Sequence, residues 1–202
     1  EEAGDQDDGD QGRDQEVGVH QGCSQAGCGH DEGGRQEARQ ESEAGQVTPP
    51  EVVVHADADR LAEAVAERRV ARVVDAQGTR GEASVVLTGG RVGTKVLSMV
   101  ARSDAGRDAV DWRHVDVWWG DERFLPAGDP ERNETQAREA LLDHVPVDPE
   151  RVFPMPAADG VDGSDVDAAA ARYSETLAGR AHREGSGPVP RFDVLLLGVG
   201  PD

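Results

Sequence analysis

Glycines and charged side chains occur together in three short stretches of the sequence. The three stretches comprise Thr88, Gly89, Gly90 and Arg91, then Asp121, Glu122 and Arg123, and finally Gly198, Gly200 and Asp202. Paired glycines let backbone N–H groups approach an anion closely, and guanidinium groups bind phosphate or carboxylate through two parallel hydrogen bonds. The first stretch also precedes a predicted helix, whose N-terminus adds partial positive charge. These stretches predict a site for a phosphate carried by a small molecule.

Each stretch directly follows an apolar run. The runs Ala83–Leu87, Val115–Trp119 and Val194–Leu197 are typical of buried strands. Ligand sites in parallel sheets lie beyond the carboxyl ends of the strands, so the three stretches are expected to meet at one edge. Gly120 allows the sharp turn that presents Asp121 there. A solvated turn with an Asp/Arg pair would have a similar sequence, and that alternative stays open.

Helical patterns alternate with these runs. The predicted helices follow Asp57, Gly93, Asn133, and either Asp165 or Asp167. We expect Gln77–Gly81 to interrupt the first helix, the second to begin near Thr94, and Asn133 to form a capping box with Gln136. Val52–Val54 and residues 151–156 are expected to be extended. Strands that are apolar on both faces and alternate with helices predict a doubly wound α/β fold with a mostly parallel sheet.

The first glycine stretch matches neither of two common nucleotide-binding patterns. A P-loop needs four residues between its first glycine and the Gly-Lys pair, whereas here the spacing from Gly89 is one residue short and a threonine separates Gly93 from Lys95. The G-x-G-x-x-G dinucleotide pattern is also missing. A small phosphorylated ligand therefore fits better than ATP or NAD, although a plain strand-to-helix turn is the alternative.

Composition narrows the class of protein further. The net charge is −20, from 41 acidic and 21 basic residues. Nucleic acid is an unfavourable partner for such a chain, because affinity for phosphate backbones comes from clustered Lys and Arg. No apolar run approaches the roughly 20 residues that span a bilayer, and the acidic N-terminus is the opposite of a signal peptide. We predict a cytoplasmic protein that binds neither membrane nor nucleic acid.

The first 48 residues form an acidic, low-complexity segment. They hold almost no branched aliphatic side chains, so we predict a disordered tail at 1–48 and a folded domain at 49–202. Both cysteines of the chain, Cys23 and Cys28, lie in this tail with His20 and His30 nearby. Without a second ligand pair or an apolar context this spacing does not predict a metal site.

The motifs together resemble the 6-phosphogluconolactonase family. Thr88-Gly-Gly, the stretch WWGDERFLP from Trp118, Arg132-Asn-Glu and the terminal FDVLLLGVGPD occur in the order and spacing of that family, from about Val52 to Asp202. The family belongs with the glucosamine-6-phosphate isomerases. The resemblance therefore implies a sugar-phosphate isomerase-like, Rossmann-like fold.

The resemblance also implies an activity. The family hydrolyses 6-phospho-D-glucono-1,5-lactone to 6-phosphogluconate in the oxidative pentose phosphate pathway, a reaction of carbohydrate metabolism without metal or organic cofactor. By analogy Asp121 would lie beside the attacking water or the general base, and Arg123 would contact the substrate. Residues 88–91, with Gly198, Gly200 and Asp202, would line the substrate and phosphate region. Glu122 would secure the loop, and a monomer is expected.

The chain departs from the family in two places. Arg91 stands where a small residue is usual, and the Gly-His pair that follows the terminal motif in the family, with the expected general base, is absent. The histidines His55, His114, His144 and His182 lie in no motif that could replace it. We therefore expect a C-terminally truncated domain with an incomplete sheet, aggregation through exposed apolar surface, and little or no activity. The alternatives are a glucosamine-6-phosphate deaminase-like enzyme or a non-catalytic sugar-phosphate-binding protein.

Overall fold

The computed structural model describes residues 50–198. The chain divides into two units, and all of these residues except Pro50 belong to the second, Glu51–Asp202. Four parallel strands form one sheet in the order β3-β2-β1-β4: β1 Ala83–Leu87, β2 Val115–Trp119, β3 Val152–Phe153 and β4 Val194–Leu195. The helices are α1 Ala58–Arg80, α2 Gly90–Arg102, α3 Asp104–Asp108, α4 Asn133–Ala140 and α5 Val166–Glu184, with 3₁₀ turns at Trp112–His114, Leu142–His144 and Pro149–Arg151. The predicted α/β fold with a parallel sheet is confirmed.

Helices cover both faces of the sheet, and neighbouring residues of β2 point to opposite faces. Trp119 packs into the core that α1, α2 and α4 form on one face. Trp118 packs on the other face against Tyr173 of α5, and its ring stacks on Phe153 at 4.1 Å between centroids. Every residue of β1 and β2 is buried, which explains why both strands are apolar except for Ser84 and Asp116.

The strand order determines where a ligand can enter. After β1 the chain moves to β2 and β3 on one side, and β4 then returns to pair with the free side of β1. The connection that leaves β1 therefore runs away from β4, and residues that follow the two strands, such as Thr88 and Leu196, line a crevice at their carboxyl ends. Ligands of open α/β sheets bind at such a point.

Helix boundaries differ from the prediction in three places. The helix α1 continues through residues 77–80 and ends at Gly81, whose φ of 80° forms a left-handed cap. The helix α2 begins at Gly90 rather than near Thr94, because Gly93 has no side chain to collide with the carbonyl of Thr88 and so can lie inside the helix: a Cβ there would be 2.8 Å from that oxygen. Asn133 is the first residue of α4 rather than its N-cap, and Arg132 before it makes no side-chain cap bond.

Extended segments are shorter than predicted. Val52–Val54 forms no strand, and Val52 and Val54 are 86% and 89% exposed. The run ending at Leu197 pairs with β1 only through Val194 and Leu195. The predictions about the tail at 1–48, including Cys23, Cys28, His20 and His30, lie outside the described residues. Between residues 50 and 198, no helix is long and apolar enough to cross a bilayer, and no group of three or more acidic, histidine or cysteine side chains could hold a metal ion.

A charge network holds the amino ends of the strands together. The carboxylate of Asp116 in β2 is 1% exposed and accepts from Arg151 at 2.6 Å, and it pairs with Arg180 of α5 at 2.5 Å. Glu82, just before β1, contacts the same two guanidinium groups at 2.6 and 3.2 Å. The hydrogen bond from Arg151 holds the pKa of Glu82 below its usual value.

We expect Asp116→Asn to reduce the free energy of unfolding by about 2 kcal/mol, because two partly buried guanidinium groups would face a neutral amide. Urea unfolding of the two proteins measures the difference. Asp75→Asn is the matched control, since the Asp75 carboxylate is 69% exposed and, within residues 50–198, pairs only with Arg72 at the surface. Equal losses in the two variants would contradict the prediction.

Candidate active site

A cavity of about 640 Å³ lies at the carboxyl edge of the sheet, where the strand order opens the crevice. Its polar lining comes from the loops after β1 and β2 and from the start of α4, and Leu61, Val65, Val96, Leu196 and Leu197 supply apolar walls. The predicted site residues that line it are Thr88, Gly89, Gly90, Arg91, Asp121, Arg123 and Gly198. Gly200 and Asp202 lie outside the described residues. The sequence patterns therefore located this cavity, while the role of each residue stays a prediction.

The loop after β1 presents backbone rather than side chains. Gly89 precedes α2, and Gly90 has φ of +82°, a conformation that other residues rarely adopt. The first N–H groups of a helix have no partners within it, so the amides at the start of α2 can donate to an anion. Arg91 lies in this first turn, is exposed, and makes no ion pair with any other described residue. The turn has the features of an anion-binding site.

The loop after β2 sends its three charged side chains in different directions. The carboxylate of Asp121 accepts a hydrogen bond from the Thr88 hydroxyl at 3.2 Å, which joins the first two loops. Glu122 is turned toward α4. Arg123 pairs with Glu131 at 2.7 Å, and both side chains are more than half exposed. Asp121 and Arg123 therefore remain accessible to a ligand, whereas Glu122 has a structural position.

Glu122 caps α4 from a distant loop. Its carboxylate accepts from the backbone N–H groups of Asn133 at 2.7 Å and Glu134 at 2.9 Å, which have no partners within the helix. It also accepts from the N–H of Arg123 at 2.8 Å. The capping box predicted for Asn133 and Gln136 is therefore wrong, because the carboxylate that caps this helix comes from Glu122.

Arg132 is a buried anchor that the sequence did not indicate. Its side chain is fully buried, and the guanidinium donates to the carbonyls of Leu125 at 3.1 Å and Met155 at 2.8 Å. It lies 3.6 Å from Glu122 and 3.2 Å from Glu134. A single side chain thus ties the loop after β2 to α4 and to the segment after β3. A lone arginine has no local pattern that reveals such contacts.

Tyr173 of α5 completes the end of β2. Its hydroxyl accepts from the N–H of Trp119 at 3.1 Å and donates to the carbonyl of the same residue at 3.0 Å. Strand β3 ends with Phe153, which pairs with Trp118, and the Tyr173 hydroxyl binds the backbone of β2 one residue further along. Burial raises the pKa of this hydroxyl, so it stays protonated and able to donate. The last residues before Asp121 are consequently held on both sides.

None of the four histidines within residues 50–198 lines the cavity. The carboxylates in its wall are Asp121 and Glu122, and Glu122 is occupied with backbone N–H groups. Asp121 is therefore the lining carboxylate available to a ligand or a water molecule. A neighbouring depression shares Arg91 and Arg123 with the cavity and adds Lys95 and Arg102, of which Lys95 pairs with Asp59 and Arg123 with Glu131. Arg91 and Arg102 make no ion pair with another described residue, and their charges favour an anionic ligand.

Comparison with known proteins gives consistent results. Residues 56–202 match the profile of the family described as glucosamine-6-phosphate isomerases/6-phosphogluconolactonase. The 6-phosphogluconolactonase of Streptomyces coelicolor is 61% identical over 153 residues, which are 76% of this chain and 58% of that protein. The 6-phosphogluconolactonase of Mycobacterium tuberculosis is 42% identical over 151 residues, 75% of this chain and 59% of the relative. The chain thus spans less than two thirds of the length of these relatives.

Solved structures share the fold. The 6-phosphogluconolactonase of Trypanosoma brucei superposes with a TM-score of 0.60 at 27% identity, covering 75% of this chain and 60% of that one. The enzyme of Trypanosoma cruzi gives a TM-score of 0.61 at 25% identity, with 75% and 59% covered. The family match covers nearly all of the described residues, including each loop that lines the cavity. The chain therefore belongs to the glucosamine-6-phosphate isomerase/6-phosphogluconolactonase family.

Proposed function

We propose that this site binds 6-phospho-D-glucono-1,5-lactone and that its residues serve the hydrolysis of that ester to 6-phosphogluconate. The observation that carries the proposal is the direct contact between two loops: the hydroxyl of Thr88, at the anion-binding turn, donates to the carboxylate of Asp121. A group able to orient water therefore lies beside backbone amides able to hold a phosphate. The names of the relatives from Streptomyces coelicolor and Mycobacterium tuberculosis support the same activity.

The proposed chemistry assigns a role to each loop. The amides at the start of α2, together with Arg91, hold the phosphate. Asp121 orients the water that attacks the lactone carbonyl, with a proton acceptor supplied from outside the described residues. The new C–O bond gives a tetrahedral oxyanion, whose collapse breaks the bond to the ring oxygen. The ring oxygen gains a proton, and the carboxylic acid formed releases one. Arg123 contacts the anionic part of the substrate.

The proposal is tested in a chimera between this chain and a longer relative. The 153 residues that match the Streptomyces coelicolor relative replace the corresponding part of that protein, and acid release from the lactone is titrated at constant pH against the spontaneous rate. We expect turnover within tenfold of the parent relative. An inert but folded chimera beside an active parent would overturn the proposal.

Two further assays separate the alternatives. Release of ammonia from glucosamine 6-phosphate by the chimera would indicate a deaminase. Calorimetric binding of 6-phosphogluconate without lactone turnover would indicate a non-catalytic binding protein. The 202-residue chain is assayed in parallel, and little or no turnover by that chain stays a prediction. A cytoplasmic location, a monomeric state and lack of nucleic-acid binding also stay predictions, the last supported by the net charge of −20.

A further inference from the structure

Asn133 is the single asparagine of the sequence, and it lies between two loops of the site. Its side chain is almost completely buried, with the residue 8% exposed, although it forms part of the cavity wall. Glu122 fixes its backbone by accepting from the N–H of Asn133 at 2.7 Å. The position of the carboxamide is therefore set before any ligand binds.

The two ends of this carboxamide face different loops. The Nδ2 atom donates to the carbonyl of Asp121 at 2.9 Å, which also establishes which end is the nitrogen, because an oxygen there would repel that carbonyl. The Oδ1 atom occupies the space above Gly89: a Cβ built on Gly89 would lie 1.7 Å from it. One side chain thus holds the peptide that carries Asp121 and packs on the peptide that begins the anion-binding turn.

We propose that Asn133 is a positioning residue that sets the direction of the Asp121 carboxylate relative to the Gly89 turn. The carbonyl of Asp121 belongs to the same residue as the carboxylate, so fixing this carbonyl limits rotation of the backbone that aims the side chain. The hydrogen bond from Thr88 to Asp121 then forms without further ordering. The kinetic part of this inference rests on the proposed hydrolysis, whereas the structural part does not.

Asparagine suits this position better than its close analogues. Aspartate has nearly the same shape, but its carboxylate has no donor for the carbonyl of Asp121 and would repel it. Alanine would leave that carbonyl without its partner and open space above Gly89. Aspartate is the more informative substitution, because a carboxylate in the first turn of a helix is favourable and the fold should persist.

The first test measures local hydrogen exchange in the 202-residue chain. In Asn133→Asp we expect the amides of residues 120–123 to exchange about tenfold faster than in the unmodified chain, while urea unfolding still shows one cooperative transition with a modestly lower midpoint. Gln136→Glu is the matched control: it makes the same amide-to-carboxylate change in α4, and Gln136 also donates to a backbone carbonyl, that of Pro130 at 3.1 Å. The control should leave residues 120–123 unaffected. Unchanged exchange in Asn133→Asp, or equal acceleration in both variants, would overturn the proposal.

The second test uses the chimera. Asn133→Asp should lower kcat for the lactone about tenfold and change KM less than twofold. The substitution alters the direction of the Asp121 carboxylate and leaves the affinity for the substrate nearly unchanged. A change in KM alone would assign Asn133 to substrate binding and would overturn the positioning role. If the unmodified chimera hydrolyses no lactone, the proposed function fails, and the exchange experiment still decides the role of Asn133.

Discussion

Replacing Asp121 with asparagine is expected to lower kcat for lactone hydrolysis about 10²- to 10⁴-fold in the chimera. Asparagine keeps the size of the side chain, and its Oδ1 can still accept from the Thr88 hydroxyl, which lies 3.2 Å from the present carboxylate. The substitution removes the negative charge that, in the proposed mechanism, orients the attacking water and stabilises a protonated base. KM should change little, because the proposed phosphate contacts come from the loop after β1.

The control for this prediction is Asp159→Asn. The Asp159 carboxylate accepts from the N–H of Ala127 at 2.8 Å, so it has a comparable local hydrogen bond but lies outside the cavity. Its replacement should leave kcat within twofold of the unmodified chimera. If Asp121→Asn retained more than a tenth of the original kcat, Asp121 would not be the carboxylate that acts on the water.

The prediction is specific because Asp121 is held from several directions. Strand β2 ends at Trp119, whose two backbone polar groups are bound by the Tyr173 hydroxyl. The next N–H, of Gly120, donates to the carbonyl of Leu87 at 3.0 Å in β1. Asn133 then binds the carbonyl of Asp121 itself. A loop fixed at three consecutive residues can present a carboxylate in one orientation, and such preorganisation is what catalysis of ester hydrolysis requires.

The sequence predicted the strands because their signal is local. Strands buried on both faces are mostly apolar, so Ala83–Leu87 and Val115–Trp119 were recognisable from consecutive residues. The carboxyl edge of a parallel sheet then determined that the loops after these strands converge. The position of a cavity at this edge was predictable for the same reason, whereas the order in which the strands pair was not predicted.

The hydrogen bonds that hold the loops in place were not predictable, because each joins residues that are distant in the chain. The Tyr173 hydroxyl binds a residue 54 positions away, and Asn133 binds Asp121 across 12 positions. Neither contact leaves a periodic pattern. Local rules also misled at α4, where Asn133 has the side chain of a typical N-cap but Glu122 performs the capping. The preference of asparagine for the N-cap position decides the structure only where no distant side chain competes for the first N–H groups of the helix.

Loss of the Glu122 side chain is expected to have the largest effect on stability. In Glu122→Ala, three backbone N–H groups lose their acceptor, and the buried guanidinium of Arg132 loses a carboxylate at 3.6 Å. Glu122 and Arg132 are 3% and 0% exposed, and removing one member of such a buried pair costs several kcal/mol; we expect a loss of about 3 kcal/mol, because Arg132 keeps Glu134 at 3.2 Å. Urea unfolding of the 202-residue chain should show this loss, a large part of a typical domain's stability.

A neighbouring ion pair that is exposed provides the control for this prediction, because it differs from the Glu122–Arg132 pair in burial. Glu131 pairs with Arg123 at 2.7 Å in the same loop, but its side chain is 66% exposed. Glu131→Ala should therefore cost less than about 1 kcal/mol. Glu122→Gln should lie between the two, because its amide oxygen still accepts from the N–H groups of α4 while the charge opposite Arg132 is lost. If the three variants were equally stable, burial of the Glu122–Arg132 pair would contribute nothing measurable to the free energy of unfolding, and the other contacts of the loop that carries Asp121 would suffice to hold it.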